Sequence, residues 1–497
     1  MKYILAFDQG TTSSRTIVFN EQMKIVSIAQ REFRQIYPQP GWVEHDPFDI
    51  LGTQLETMRE AVAKAGVNSG DIVAAAIANQ RETVVVWDKK TGRPVYNAIV
   101  WQCRRSADFC SRLRAEGVEG EIVRRTGLLA DAYFSGTKIK WILDNVPGAR
   151  SQAEAGNLLF GTIDAWLVWN LTAHNNHLTD VTNASRTMLF NIHNMKWDDE
   201  MLRILGVPGS MLPDVLPCTA DFGRLRRDIL GREIPIRGMA GDQQAALFGQ
   251  ACHRQGEAKN TYGTGCFLLM NTGGKPASSK SRLLTTVAWD AGDGPVYALE
   301  GSVFTGGAAV QWLRDGLCLI RTAAETEELA LSVPSSDGVY LVPAFSGLGA
   351  PWWDMYARGT IVGITRGTGR EHIVRAALEA IAYQSADMLQ AMEADAGIRL
   401  SALKVDGGAS ANNFLMQFQS DLLGRPVVRP SCLETTAMGV ACFAGLGTGL
   451  LADLSAIAKL CHAEKEFQPS PQAGLAQASF AGWHKAVGRA KNWIEHE

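Results

Sequence analysis

Along this chain, short apolar runs stop repeatedly at clusters of small and charged residues, and their periodicity alternates between strand-like and helix-like. Residues 3–7 form an apolar strand that runs into Asp8, Gln9, Gly10, Thr11, Thr12, Ser13, Ser14 and Arg15, and the apolar pattern resumes over 16–19. A further strand is predicted over 25–30, a helix over Pro47–Ala65, and a buried strand over 73–77 that ends in Asn79, Gln80, Arg81 and Glu82. The run 84–87 reads as a strand followed by a turn at Thr91 and Gly92, and 98–101 as a strand ending in Gln102, Cys103, Arg104 and Arg105. A helix is predicted over 135–143, starting near Tyr133, and a short strand over 236–240 ending at Gly241 and Asp242. The second half continues the alternation with strands over 296–300 and 339–343, a long helix over 371–395, and a strand over 403–405 that ends in Asp406, Gly407 and Gly408.

The second half also echoes the first hairpin. Residues 258–261 read as a strand, Tyr262, Gly263, Thr264 and Gly265 as a tight turn, and 266–271 as the returning strand. Two such units, one opening each half, imply a duplicated α/β architecture with two domains facing each other across a ligand. The boundary is placed near Gln250, giving domains 1–250 and 251–497.

Composition narrows the class. With 497 residues, 46% hydrophobic and 20% charged, the chain is that of a globular protein large enough for two cores. A formal charge of −3 supplies no field for nucleic acid or an anionic membrane, so charged ligands must be held locally. The nine cysteines show neither a disulfide framework nor paired zinc-ligand spacing, and buried free thiols are expected. The uncharged run 437–452 is Gly-rich and shorter than the roughly 20 residues of a membrane span, so it reads as a buried helix and turn. The opening apolar run is too short for a secretion signal. The glycosylation-type triplets at Asn170 and Asn183 are therefore read as chance, and the expected compartment is the cytoplasm.

The strand ends carry the chemistry, because α/β folds place their sites there. At Asp8 to Arg15, backbone N–H groups and hydroxyls can face phosphate oxygens while the carboxylate reaches Mg²⁺ through water; the plain alternative is a polar hairpin turn. At Asp242 a carboxylate opens a helix, either as a cap or as a base that takes a proton from a substrate hydroxyl. Gly407 and Gly408 allow close approach by a flat ligand such as adenine, and Gly307 and Gln311 lie at another Gly-rich helix start. Arg81 and Glu82, with Trp101 and Tyr133, are either an ordinary ion pair and core aromatics or a small polyol pocket. Neither a Walker-type loop nor a dinucleotide Gly-x-Gly-x-x-Gly fingerprint is present.

Taken in order, these segments resemble the FGGY carbohydrate kinase family of the actin-like ATPase superfamily. Within it they are most similar to members that phosphorylate glycerol. The likeness is carried by 37–47, 79–83, 97–105, 133–145, 183–193, 241–250, 260–267, 359–379 and 405–421. The resemblance implies two ribonuclease-H-like domains, each a mixed sheet flanked by helices, hinged around a deep cleft. It implies that Thr11, Thr12, Ser13, Arg15, Thr264, Gly307, Gln311, Gly408 and Asn412 hold ATP. It implies that Arg81, Glu82, Trp101, Tyr133, Asp242, Gln243 and Phe267 surround glycerol, with Asp242 as catalytic base and Asp8 and Asp242 as Mg²⁺ ligands. A homodimer or homotetramer is the implied assembly.

The chain departs from the family's regulatory patterns. Where some relatives bind fructose bisphosphate through a Gly-rich loop followed by Arg, residues 224–233 carry a single glycine, Gly231, and Glu233 in the Arg position. No His lies between Val215 and Gly238 for the phosphorylation that switches other relatives, and 470–479 diverges from the surface that binds a sugar-transport regulator. None of these modes is expected here. The alternatives are a pentulose or gluconate kinase of the same family, or a non-metabolic actin-like ATPase.

Overall fold

The computed structural model describes residues 1–172 and 176–494 and contains two main sheets with a shared connection order. In the first, Tyr3–Gln9, Ser13–Asn20 and Ile25–Glu32 form an antiparallel meander, and Ile72–Asn79 and then Ile234–Gly241 add in parallel on the other side of Tyr3–Gln9. In the second, Glu257–Tyr262, Cys266–Gly273 and Pro295–Val303 occupy the matching antiparallel positions, and Leu284–Asp290, which precedes the last of them in sequence, pairs on its outer side. Ala402–Asp406 and Val427–Pro430 add in parallel to Glu257–Tyr262. The hairpin echo in the sequence is thus a repeated sheet topology.

The first strand shows why both faces of the sheet are covered. Ile4 and Ala6 point into a core shared with Val440, Ala441 and Ala444, while Leu5 and Phe7 point into one with Ile50, Met58 and Ala61. Four consecutive apolar residues therefore serve two layers, as a strand's period of two requires. The helix Pro47–Ala65 has Asp46 accepting the Phe48 N–H at 2.8 Å, Pro47 in its first turn, and Gly66 left-handed at φ 62° after its end.

Two expected strands make ancillary ladders rather than extending the main sheet. Val85–Asp88 pairs with Leu158–Gly161, and the run predicted over 98–101 shortens to Ala98–Ile99, paired with Glu44–His45. The uncharged run 437–452 supplies the helix Thr435–Gly447, which belongs to the second half in sequence but packs on the first sheet. Its approach is tight. A Cβ on Gly439 would lie 1.9 Å from the Ala245 carbonyl oxygen, and one on Gly238 would lie 2.5 Å from that of Val440. A cut near Gln250 therefore separates the two sheets but not their cores.

No helix among the described residues is long and apolar enough to cross a membrane. The nine cysteines are free thiols, six of them buried, while Cys318 is exposed and Cys432 and Cys461 are half-buried. Asn183 is fully buried and bonded to Asn79 and Asp180, which leaves no room for a glycan.

Candidate active site

Register brings the first group of expected residues to one rim. Gln9, Asn79 and Gly241 are level neighbours at the ends of three parallel strands, so the segments that follow them, including Gln80 to Glu82 and Asp242, emerge side by side. Gly10 donates its N–H to the Ser13 carbonyl at 3.0 Å, closing the hydroxyl-rich turn next to them.

Arg81 is the centre of a buried charge network. It forks onto Glu300, Nη1 to Oε2 at 2.5 Å and Nη2 to Oε1 at 3.0 Å, and its Nε lies 3.3 Å from Asp242 Oδ1. Nη1 also reaches Gln244 Oε1 at 3.2 Å, and Nη2 donates to the Tyr133 hydroxyl at 3.3 Å. Arg186 donates from Nε to Glu82 at 2.6 Å and from Nη2 to Glu300 at 3.0 Å. Two guanidiniums and two carboxylates thus balance in a site whose four side chains are at most 2% exposed. Burial alone would raise the Glu300 carboxyl, but Arg186 and Arg81 outweigh it and hold it at about 2. Glu82 is raised by burial against the pull of the same arginines. Its backbone is left-handed at φ 59°, a conformation uncommon outside glycine.

The aromatic wall joins the two halves of the expected site. The Trp101 ring meets Tyr133 edge-on at 5.5 Å, and its Nε1 donates to Thr11 Oγ1 at 2.9 Å, tying the pocket to the hydroxyl-rich turn. Lys138, fully buried, donates to the carbonyls of Ala132, Tyr133 and Phe134 and so fixes the turn that presents Tyr133. Desolvation lowers that ammonium to about 7, with Glu82 opposing.

Carboxylates accumulate beside the turn. Desolvation pushes Asp8 up to about 6; Arg15 opposes, and Asp242 and Glu434 add to the rise. Arg15 itself pairs with Glu434, which comes from the second half. Asp242 opens the helix Asp242–Gly249, where its Oδ1 accepts the Gln243 N–H at 2.7 Å, and its side chain remains 30% exposed. It therefore helps to satisfy its helix start while keeping a face exposed. Buried Lys259, lowered by desolvation, donates to Gln243 and to Thr261 at 2.9 Å.

The second group of expected residues lies on the other sheet. The Gly263 carbonyl accepts the Gly307 N–H at 2.8 Å, and the Thr264 carbonyl accepts those of Gly306 at 2.8 Å and Ala308 at 3.0 Å. The turn is thereby pinned to the start of the helix Gly307–Asp315, on which Gln311 is exposed. Gly407, at φ 84°, passes so close to Tyr262 that a Cβ would lie 2.6 Å from its carbonyl oxygen, which brings exposed Gly408 next to the same turn. Asn412 caps the helix Asn413–Leu423, accepting the Leu415 N–H at 2.9 Å and donating to Thr326 at 3.1 Å. Phe267 is half-buried opposite Thr261 and Ser302 in the sheet.

Sequence reasoning missed Glu300, Arg186, Lys259 and Lys138. Glu300 carried a signal, a lone carboxylate inside the apolar run 296–300, and Lys259 likewise interrupts a strand; a charge there needs a buried partner. Arg186 and Lys138 carried none, since a single cation next to polar residues reads as solvated.

The N-terminal domain of the FGGY family of carbohydrate kinases matches residues 3–249, and its C-terminal domain matches 258–448. The chain is 61% identical over 491 residues to a glycerol kinase of Symbiobacterium thermophilum and 60% identical over 493 residues to glycerol kinase 2 of Thermotoga maritima, covering 99% of both chains in each case. Among solved structures it matches Plasmodium falciparum glycerol kinase with ADP at a TM-score of 0.94 and 37% identity, over 99% of this chain and 98% of that one. A xylulose kinase of Lactobacillus acidophilus shares the fold at a TM-score of 0.89 and 23% identity, over 98% of each chain.

Proposed function

Because the chain belongs to the FGGY family of carbohydrate kinases, we propose that it transfers the γ-phosphate of ATP to a terminal hydroxyl of glycerol, forming sn-glycerol 3-phosphate and ADP. The observation that carries this reading is the Arg81 and Glu82 turn, held rigid between Arg186 and Glu300, opening beside Asp242 and walled by Tyr133 and Trp101. Charged groups on one side and aromatic faces on the other suit a three-carbon polyol, whose hydroxyls take hydrogen bonds and whose carbon chain takes apolar contact. The high identity to glycerol kinases over the whole chain agrees with it.

Arg81 and Glu82 orient the hydroxyls, and Asp242 takes the proton of the terminal one as it attacks the γ-phosphorus in line with the leaving ADP oxygen. Gln243 and Phe267 complete the polyol side. Thr11, Thr12, Ser13, Arg15 and Thr264 offer backbone and side-chain donors to the phosphates, and Gly307, Gln311, Gly408 and Asn412 border the adenosine. Asp8 and Asp242 fit a Mg²⁺ ion: they are hard oxygen donors brought to the same rim by the register of Tyr3–Gln9, Ile72–Asn79 and Ile234–Gly241. When bound, that ion would offset charge on the phosphate oxygens. The Arg81–Glu300 and Arg15–Glu434 pairs draw the two halves together over the reacting groups, which limits hydrolysis by water.

ADP release measured against a panel of glycerol, xylulose and gluconate tests the substrate. Glycerol is expected to be preferred by orders of magnitude. A preference for xylulose or gluconate would overturn the reading, as would ATP turnover indifferent to all three.

A further inference from the structure

A buried carboxylate outside the residues assigned above ties together the two strand ends on which the proposed chemistry stands. Asp180 is fully buried and uses both oxygens. Its Oδ2 accepts from the Thr182 N–H at 2.9 Å, the Thr182 hydroxyl at 2.7 Å and the Cys218 thiol at 3.3 Å. Its Oδ1 accepts from the Asn183 N–H at 3.1 Å and the Asn183 side-chain amide at 2.8 Å.

Each oxygen starts a relay. The Thr182 hydroxyl, its proton given to Asp180, accepts the N–H of Gly241 at 2.8 Å, and the next residue is Asp242. The Asn183 amide makes a two-way pair with Asn79, at 2.9 and 3.0 Å, and Asn79 donates to the Gln80 carbonyl at 2.9 Å; the next residue is Arg81. Gly241 and Asn79 are themselves register partners, so the relays end on adjacent strands at the same level. Three residues beyond Asn183, Arg186 grips Glu82 and Glu300.

We infer that Asp180 is a positioning residue: through Thr182 it sets the backbone that aims Asp242, and through Asn183 and Asn79 it sets the turn that aims Arg81 and Glu82. The inference rests on the reading of Asp242 as base and Arg81 as polyol ligand. Because a carboxylate here only accepts, Asn would turn an N–H group toward the donors of one relay and, having lost the charge, would weaken the bonds of the other. Thr182→Val removes one link alone, and Asn79→Ala the other.

Steady-state kinetics per folded molecule, with ATP affinity by calorimetry, separate the possibilities. Thr182→Val is expected to lower kcat about 10-fold or more with the glycerol KM within about 2-fold, because it acts on the base. Thr182→Ser, which keeps the hydroxyl, is expected to restore kcat to within about 2-fold. Asn79→Ala is expected to raise the glycerol KM about 10-fold. Asp180→Asn is expected to do both while ATP affinity stays within about 2-fold. If these variants lower only the denaturation midpoint and leave kcat and KM unchanged, Asp180 is structural and the inference fails. Should Asp180→Asn not fold, the comparison of Thr182→Val with Thr182→Ser decides alone. Asp242→Asn is measured in parallel: its retention of activity would sink the functional reading, whereas an inactive Asp242→Asn beside a fully active Thr182→Val would sink only this inference.

Discussion

Replacing Glu300 with alanine removes one carboxylate from a buried set of two carboxylates and two guanidiniums. Arg81 loses both of its bonds to Glu300, at 2.5 and 3.0 Å, and Arg186 loses one at 3.0 Å. Glu82 remains, 3.8 Å from the Arg81 Nε and already engaged by Arg186, and the 30% exposed Asp242 remains 3.3 Å from that Nε, so the buried Nη end of Arg81 is left without a carboxylate. Breaking a buried pair in this way typically costs about 3–5 kcal/mol. Glu300→Gln keeps the shape and one acceptor but removes the same charge and turns an N–H group toward an arginine, so a comparable loss is expected. The two variants also release the Arg81 side chain that Glu300 holds in place beside Asp242, so the glycerol KM is expected to rise about 10-fold with ATP affinity little changed. Urea denaturation followed by far-UV and tryptophan signals measures the first effect, with coincidence of the two probes checking that one transition is observed. A loss below about 1 kcal/mol for Glu300→Ala, with an unchanged glycerol KM, would refute the view that Glu300 anchors Arg81.

Asp242→Asn is expected to bind ATP normally and to lose about 100- to 10,000-fold in kcat; near-normal turnover would remove Asp242 from the mechanism. Asp8 is raised to about 6 from 3.8, so the folded protein holds that proton more tightly than the unfolded chain. The resulting stabilisation is present below pH 3.8 and lost as pH rises through 6, leaving an ionised, crowded carboxylate at pH 8. Asp8→Asn should therefore stabilise the ligand-free protein at pH 8 by about 1–2 kcal/mol, a figure reduced for its partial exposure, while lowering Mg-dependent activity. Equal midpoints for the two proteins at pH 8 would contradict this. Gly439→Ala places a methyl 1.9 Å from the Ala245 carbonyl, a backbone atom that cannot swing away. A loss of about 1–3 kcal/mol by thermal or urea denaturation is expected.

The alternation of elements and the hairpin echo were legible because strands such as Tyr3–Gln9 are apolar on both faces and end in small polar residues. The charged side chains proposed for the chemistry at those ends, Asp8, Arg81, Glu82 and Asp242, were legible as candidates for the same reason. What the pattern could not carry was distance in the fold. Glu300 meets Arg81 across 219 positions, Arg15 meets Glu434 across 419, and Trp101 reaches Thr11 across 90. Helix Thr435–Gly447 read correctly as buried, but its period and composition hold no record of which sheet it covers; only the glycines at 238, 249 and 439 hint at a close crossing. Asp180 caps the short helix Val181–Ala184, and its reach to Gly241 and Gln80 exists only in three dimensions.

The most direct test of the central claim is a structure determined with glycerol and a non-hydrolysable ATP analogue. A terminal glycerol oxygen is expected about 3 Å from an Asp242 carboxylate oxygen, with the vicinal hydroxyls on Arg81 and Glu82 and the γ-phosphate between Thr11 and Thr264. Glycerol bound elsewhere, or with its terminal oxygen beyond reach of Asp242, would contradict it.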